Sequence, residues 1–271
     1  MPDTPSPSRM EALMASHLGA ARTTLPVSTL QIRGLGKRYG QTVALSDATV
    51  AFQPGAIHTI LGENGSGKST MLKILSGVVA PSEGRVVMNG QDIHARSPFD
   101  MQRLGLATVF QEVLIAPHRS VTDNIFLGCD GFIRRAHDRR KRLETARALM
   151  AALARFPIDV AGNAGSLPLA ALQLVVIARA FVRLPSILLL DEATAALDYA
   201  DRDLVFDAVE DYARAGNIVV FISHRMEEVR RLSDRVTVLR SGRVIETLER
   251  AEISSQRLLD LMAPEAHLHA Q

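Results

Sequence analysis

Gly62-Glu63-Asn64-Gly65-Ser66-Gly67-Lys68-Ser69 decides how this sequence folds. It fits G-x-x-x-x-G-K-[ST], a pattern that cradles phosphate. Glycines let the backbone curl so that several N–H groups converge on one anion. A helix opening at Lys68 adds the positive end of its dipole. Lys68 is suited to neutralise β- and γ-phosphates, and the Ser69 hydroxyl to ligate magnesium. A plain glycine-rich turn is the bland alternative, but the flanks argue against it. Ala56 to Leu61 reads as a buried strand, and Met71, Leu72, Ile74 and Leu75 mark the apolar side of a following helix.

Further along, Ile187-Leu188-Leu189-Leu190-Asp191-Glu192 is an apolar strand ending in two carboxylates. Buried acids at a strand end are costly without a cation or donor nearby. Asp191 is suited to hold Mg2+, directly or through water, and Glu192 to polarise an attacking water as general base. Two solvent-facing acids after a core strand would be the ordinary reading, and the phosphate loop displaces it.

Outward from these two motifs, strands and helices alternate. Strand signals run from Leu30 and over Thr42 to Phe52, with Gly34 to Gly40 turn-prone between them. Asn89-Gly90 and Ser241-Gly242 each signal a hairpin. Ile187 to Leu190 and Ile218 to Ile222 are unbroken apolar runs, as central strands of a covered sheet require. Asn124 to about Leu184 is mostly helical in pattern. The expected fold is α/β: a parallel core sheet, an antiparallel β subdomain and an inserted helical subdomain at about 112–184. Residues 1–28 read as a flexible leader, with a short helix over Met10 to Leu18 as the alternative. A nucleotide-binding domain is expected over 29–250, then a C-terminal helix and tail over 251–271.

The 271 residues carry 31 Lys and Arg against 29 Asp and Glu, interspersed, so no charge argument favours nucleic acid. The basic run Arg134 to Arg142 reads as the solvated start of a helix rather than a lipid or nucleic-acid patch. The single cysteine, Cys129, rules out an internal disulfide and reads as a bystander. His94, His118, His137, His267 and His269 show no ligand-like grouping, so no zinc site is expected. No secretory signal is visible, and Leu167 to Val182, broken by Pro168, Gln173 and Arg179, falls short of a spanning helix.

Taken together, Gly62 to Thr70, Leu190 to Asp198 (LDEATAALD) and Ile222-Ser223-His224-Arg225 resemble the ATPase subunits of ABC transporters. LGLATVFQE, NIFLG, FISHRMEEV and DRVTVLRSG narrow the resemblance to simple-sugar importers of the ribose, xylose and galactose type, and to the first of their two cassettes. It covers nearly everything from Leu30 to Thr247. The resemblance implies that Gly62, Glu63, Asn64, Gly65, Ser66, Gly67, Lys68, Ser69 and Thr70 bind ATP, with Tyr39 stacked on adenine. It implies Ser69, Gln111 and Asp191 around Mg2+. It implies catalytic roles for Glu192, His224 and Gln111, and a place for Asp198 at a dimer interface. It also implies a membrane permease, indirectly a solute-binding protein, and a location on the cytoplasmic face of a bacterial inner membrane.

One motif departs from the family. The stretch Leu167-Pro168-Leu169-Ala170-Ala171 stands where the family has Leu-Ser-Gly-Gly-Gln, the signature that completes the ATP site of a partner cassette. Pro168 lacks both hydroxyl and N–H, although proline suits the first position of a helix. Losing one or two charge-assisted hydrogen bonds, at about 1.5–3 kcal/mol each, would weaken that site by one to a few orders of magnitude. An asymmetric pair with a non-identical second cassette is the expectation. The alternatives are a regulatory cassette with little turnover and a homodimeric half-length cassette. A soluble relative acting on ribosomes or DNA would need coiled coils or a second cassette.

Overall fold

In the computed structural model, residues 6–19, 27–95, 97–130 and 138–263 are described. In chain order the elements are α1 (Arg9–Leu18), β1 (Leu30–Tyr39), β2 (Thr42–Phe52), β3 (Ile57–Leu61), α2 (Lys68–Leu75), β4 (Glu83–Met88), β5 (Gln91–Ile93) and α3 (Pro98–Arg103). There follow β6 (Leu106–Val109), α4 (Val121–Ile125), α5 (Arg139–Leu153), α6 (Leu169–Phe181) and β7 (Ile187–Asp191). The last are α7 (Tyr199–Arg214), β8 (Ile218–Ile222), α8 (Met226–Leu232), β9 (Arg235–Arg240), β10 (Arg243–Glu249) and α9 (Ser255–Met262). They fall into two units, one of Pro26–Leu104 with Ile218–Gln271, the other of Met1–Leu25 with Gly105–Asn217.

The first of these units holds two sheets. One is antiparallel, in the order β2-β1-β4-β5. Of the turn-prone stretch Gly34 to Gly40, Gly34 to Tyr39 belong to β1, which stays paired through register shifts between Ile32, Leu35, Lys37 and Arg38, while Gly40 stands in the turn to β2. Gly34 takes a φ of 60°, so the bulges absorb the glycines without ending the strand. Asn89 and Gly90, at φ 50° and 78°, join β4 to β5 in the mirror-image turn that suits strand twist. In the second sheet β3 lies between β9 and β8, parallel to both, and β10 closes on β9 antiparallel. All five residues of β3 and of β8 are buried. Leu258 and Leu261 of α9 pack into a cluster with Leu61, Val229, Val236 and Val238.

In the other unit β6 and β7 pair in parallel. Helix α6 buries Leu174, Val175 and Ile177, and its Phe181 meets Tyr212 of α7 edge to face at 5.2 Å. The Tyr212 hydroxyl donates to the Pro185 carbonyl at 2.7 Å, which satisfies the one polar atom of a fully buried ring. The stretch expected as a flexible leader contains α1. Ser8 and Glu11 form a capping box at its start, and Met10, Met14 and Leu18 are buried. The helix packs on α5 and α7, and the Arg9 N–H donates to the Asp211 carboxylate at 2.5 Å. Those contacts explain why a polar, Ser- and Pro-rich segment is ordered over these residues.

Helix α5 begins at Arg139 behind an Asp138 cap and buries Ala146, Leu149 and Met150. Arg142 departs from the expected solvated face. It is buried, paired with Asp130, with its guanidinium 5.0 Å from the Phe126 ring centroid. Arg134, Arg135, Ala136 and His137 lie outside the described residues, as do His267 and His269. Among the described residues no helix is long and apolar enough to cross a membrane.

Candidate functional site

The loop between β3 and α2 is held in a shape only glycine permits. A Cβ on Gly62 would stand 2.3 Å from the Leu239 carbonyl oxygen. Gly67 sits at φ 105°, caps α2, and a Cβ there would meet the Ala44 carbonyl at 2.6 Å. Lys68 is buried, and its ammonium group donates back to the carbonyls of Gly62 at 2.7 Å and Glu63 at 2.9 Å. The loop is thus closed on itself around a positive charge. Glu63, Asn64 and Gly65 stand on its exposed rim, with Ser69 exposed and Thr70 half-buried in the first turn of α2. Helix-opening N–H groups lack intrahelical carbonyls and favour an anion.

Ser66 supplies the test of fit. Its Oγ is buried with no hydrogen-bond partner among the described residues. A buried hydroxyl without a partner costs about 1–3 kcal/mol, and an oxygen-rich ligand in the loop would remove that cost. Together with a lysine, curled backbone and a helix N-terminus, this donor set fits a polyphosphate.

Asp191 is the last residue of β7 and is buried. Glu192 follows at φ 47°, a left-handed backbone uncommon for a non-glycine residue. The Gln111 side-chain amide donates to the Glu192 carboxylate at 3.1 Å. So Gln111, Asp191 and Glu192 gather in one unit. The phosphate loop, Tyr39 and His224 belong to the other. Tyr39 ends β1 and is 46% exposed, with the Lys37 ammonium 5.2 Å from its ring centroid. His224 is exposed just beyond β8, and its neighbour Ser223 donates to Glu228 at 2.6 Å. Asp198 caps α7, accepting from the N–H groups of Ala200 and Asp201.

The departing motif opens α6. Pro168 is the N-cap rather than the first helical residue, and it offers no side-chain cap. Leu169 is 59% exposed, and Ala171 is fully buried. Cys129 is half-buried, and burial pushes its thiol up, away from the reactive thiolate form.

Three contributors escaped the sequence reading. Ala44 and Gly242 press on the phosphate loop through their backbones, and the Gly242 N–H donates to the Ser66 carbonyl at 3.0 Å. No residue type signals such a contact. Glu228 carried a faint signal, an acid four residues past His224 at the start of a helix.

Comparison with known proteins agrees with this geometry. The ABC transporter family profile matches residues 45–195. A ribose import ATP-binding protein from Rhizobium johnstonii is 41% identical over 88% of this chain and 47% of its own length. One from Mesorhizobium japonicum is 37% identical over 90% of this chain and 47% of its own. The chain therefore spans about half the length of these relatives. The solved structure of a nucleotide-free ATP-binding cassette from an ABC transporter matches with a TM-score of 0.72 at 22% identity. It covers 87% of this chain and 99% of that one. The fold is that of a phosphate-loop cassette, and the chain belongs to the ABC transporter family.

Proposed function

We propose that this chain binds and hydrolyses ATP to drive import of a sugar or related small polar solute through separate membrane subunits. The loop closed around Lys68, with a buried Ser66 hydroxyl that has no partner among the described residues, is the observation that carries this reading. The names of the ribose import relatives support the solute class.

In this reading the loop from Gly62 to Thr70 grips the phosphates, and Lys68 leaves its two carbonyls to neutralise them. Tyr39 stacks on adenine, an interaction worth about 1–3 kcal/mol in comparable settings. Ser69, Asp191 and Gln111 would hold Mg2+, which when bound supplies charge neutralisation between phosphate oxygens. Glu192 takes a proton from the attacking water, and Gln111 orients its carboxylate. His224 contacts the γ-phosphate. Asp198 lies at the interface with a second cassette. The chain sits on the cytoplasmic face of a bacterial inner membrane, held there by a permease served by a solute-binding protein.

We infer further that the paired sites are unequal. At the start of α6, Pro168 and Ala170 remove a hydroxyl and put a methyl group where backbone should approach phosphate. A non-identical second cassette then supplies the intact signature for the loop at Gly62. The same defect favours a second reading, a regulatory cassette that closes on ATP with little turnover. ATPase assay of the purified chain alone, then with Glu192→Gln, separates these. Robust turnover by a homodimer would sink the asymmetric pair. Turnover that needs a partner cassette and collapses in Glu192→Gln supports the enzyme reading. Partnered turnover indifferent to Glu192 would overturn it.

A further inference from the structure

His224 is exposed, yet both of its chain neighbours are tied to one buried carboxylate. Ser223 Oγ donates to Glu228 Oε2 at 2.6 Å. The Arg225 N–H donates to Ser223 Oγ at 3.1 Å, and Arg225 Nη1 donates to Glu228 Oε1 at 3.4 Å. The Glu228 side chain is 2% exposed and that of Arg225 is 39% exposed. At 2.6 Å the bond lies toward the short end of the O–H···O range. Glu228 itself is fixed, because the next residue of α8, Val229, is fully buried in the cluster with Leu61, Val236 and Val238. A rigid helix thus grips residues 223 and 225 and presents 224 between them.

We propose that Glu228 is a positioning residue that sets the orientation of His224. It never meets the nucleotide. It acts by fixing the backbone on either side of the imidazole, so that the ring reaches the γ-phosphate without an entropic search. This rests on the role proposed for His224 above. An ordinary helix cap would also hold the start of α8, but it would leave the His224 ring indifferent to the loss of the carboxylate.

The test uses the full chain labelled with 15N-histidine, with the His224 signal assigned by its absence in His224→Ala. Glu228→Ala is expected to shift or broaden that signal while nucleotide Kd stays within about twofold. Turnover, measured with whatever partner supports it, is expected to fall about tenfold or more, and His224→Ala/Glu228→Ala to be no slower than the worse single variant. Glu228→Gln keeps an acceptor for Ser223 and is expected to retain much of the signal and the rate. Should the alanine variant not fold, Ser223→Ala, which removes the same hydrogen bond from its other end, carries the test and is expected to move the His224 signal. An unmoved His224 signal in Glu228→Ala, or in Ser223→Ala in its place, or multiplicative losses in the double variant, would overturn the proposal. If His224→Ala leaves turnover intact, the role of His224 in hydrolysis fails, and the ring signal alone still decides whether Glu228 positions it.

Discussion

Gln111 Nε2 lies 3.1 Å from Glu192 Oε2, although 81 residues separate them in sequence. The contact puts an amide donor on the carboxylate proposed as general base and restricts where that carboxylate points. Glu192→Gln should lower turnover about 10²-fold or more while nucleotide still binds. Gln111→Ala should lower kcat about tenfold, because the carboxylate loses its orienting donor, and should raise the Mg2+ concentration that turnover needs, because a proposed ligand is lost. Steady-state assays beside equilibrium binding of a fluorescent ATP analogue check both.

Two alanine substitutions in the phosphate loop should differ in kind. Gly62→Ala drives a methyl group into the Leu239 carbonyl and the Ser66 hydroxyl, at 2.3 and 2.5 Å. It is expected to cost about 1–3 kcal/mol of stability as well as nucleotide affinity. Gly65→Ala meets nothing within 4 Å but sits at φ 81°, so its cost is backbone strain of about 1–2 kcal/mol. Chemical denaturation gives both numbers.

Much of the fold is legible in contiguous sequence. Ile187 to Leu190 of β7 and all of β8 are unbroken apolar runs, and the phosphate loop announces its own glycines. Gly34 to Gly40 misleads because glycine marks a bulged strand as readily as a turn. Helix α1 shows only half its case locally, since its stability comes from α5 and α7. Gln111, His224 and Tyr39 carry no signal beyond family resemblance, because each acquires meaning only from what it faces. Ala44 and Gly242 were hidden because they act through carbonyls and N–H groups that every residue has.

The docking of α1 predicts that Met14→Ala will destabilise the chain by about 2–4 kcal/mol, as loss of a fully buried side chain does. Ala15→Gln, on the exposed side of the same helix, should change stability by no more than about 0.5 kcal/mol. Urea unfolding of the two variants beside the parent makes the comparison.

Stability should fall in mild acid through His58. Burial, reinforced by the nearby Arg235 charge, lowers its pKa to about 3 from the ordinary 6.5. Its Nε2 lies 2.7 Å from the Thr237 hydroxyl, in a buried setting that disfavours a charged ring. Between pH 6.5 and about 3 the unfolded chain binds the proton and the folded chain does not. The native state therefore loses about 1.4 kcal/mol per pH unit across that window as an upper bound. Replacing His58 with Asn should flatten that part of the stability profile, read as the difference between the two proteins at pH 7 and pH 5.

The grip of Ala44 and Gly242 on the phosphate loop bears on transplantation. Ser46 donates to Gly242 at 2.8 Å, and Gly242 donates to Ser66 at 3.0 Å, so β2 and the β9–β10 turn together mould residues 62–67. An octapeptide copied from here into a foreign scaffold would take the glycines and leave the mould behind. A minimal transferable phosphate binder cut from this chain has to include strands nearly 200 residues apart in sequence, and peptide mimics of the loop alone should bind phosphate no better than unstructured controls.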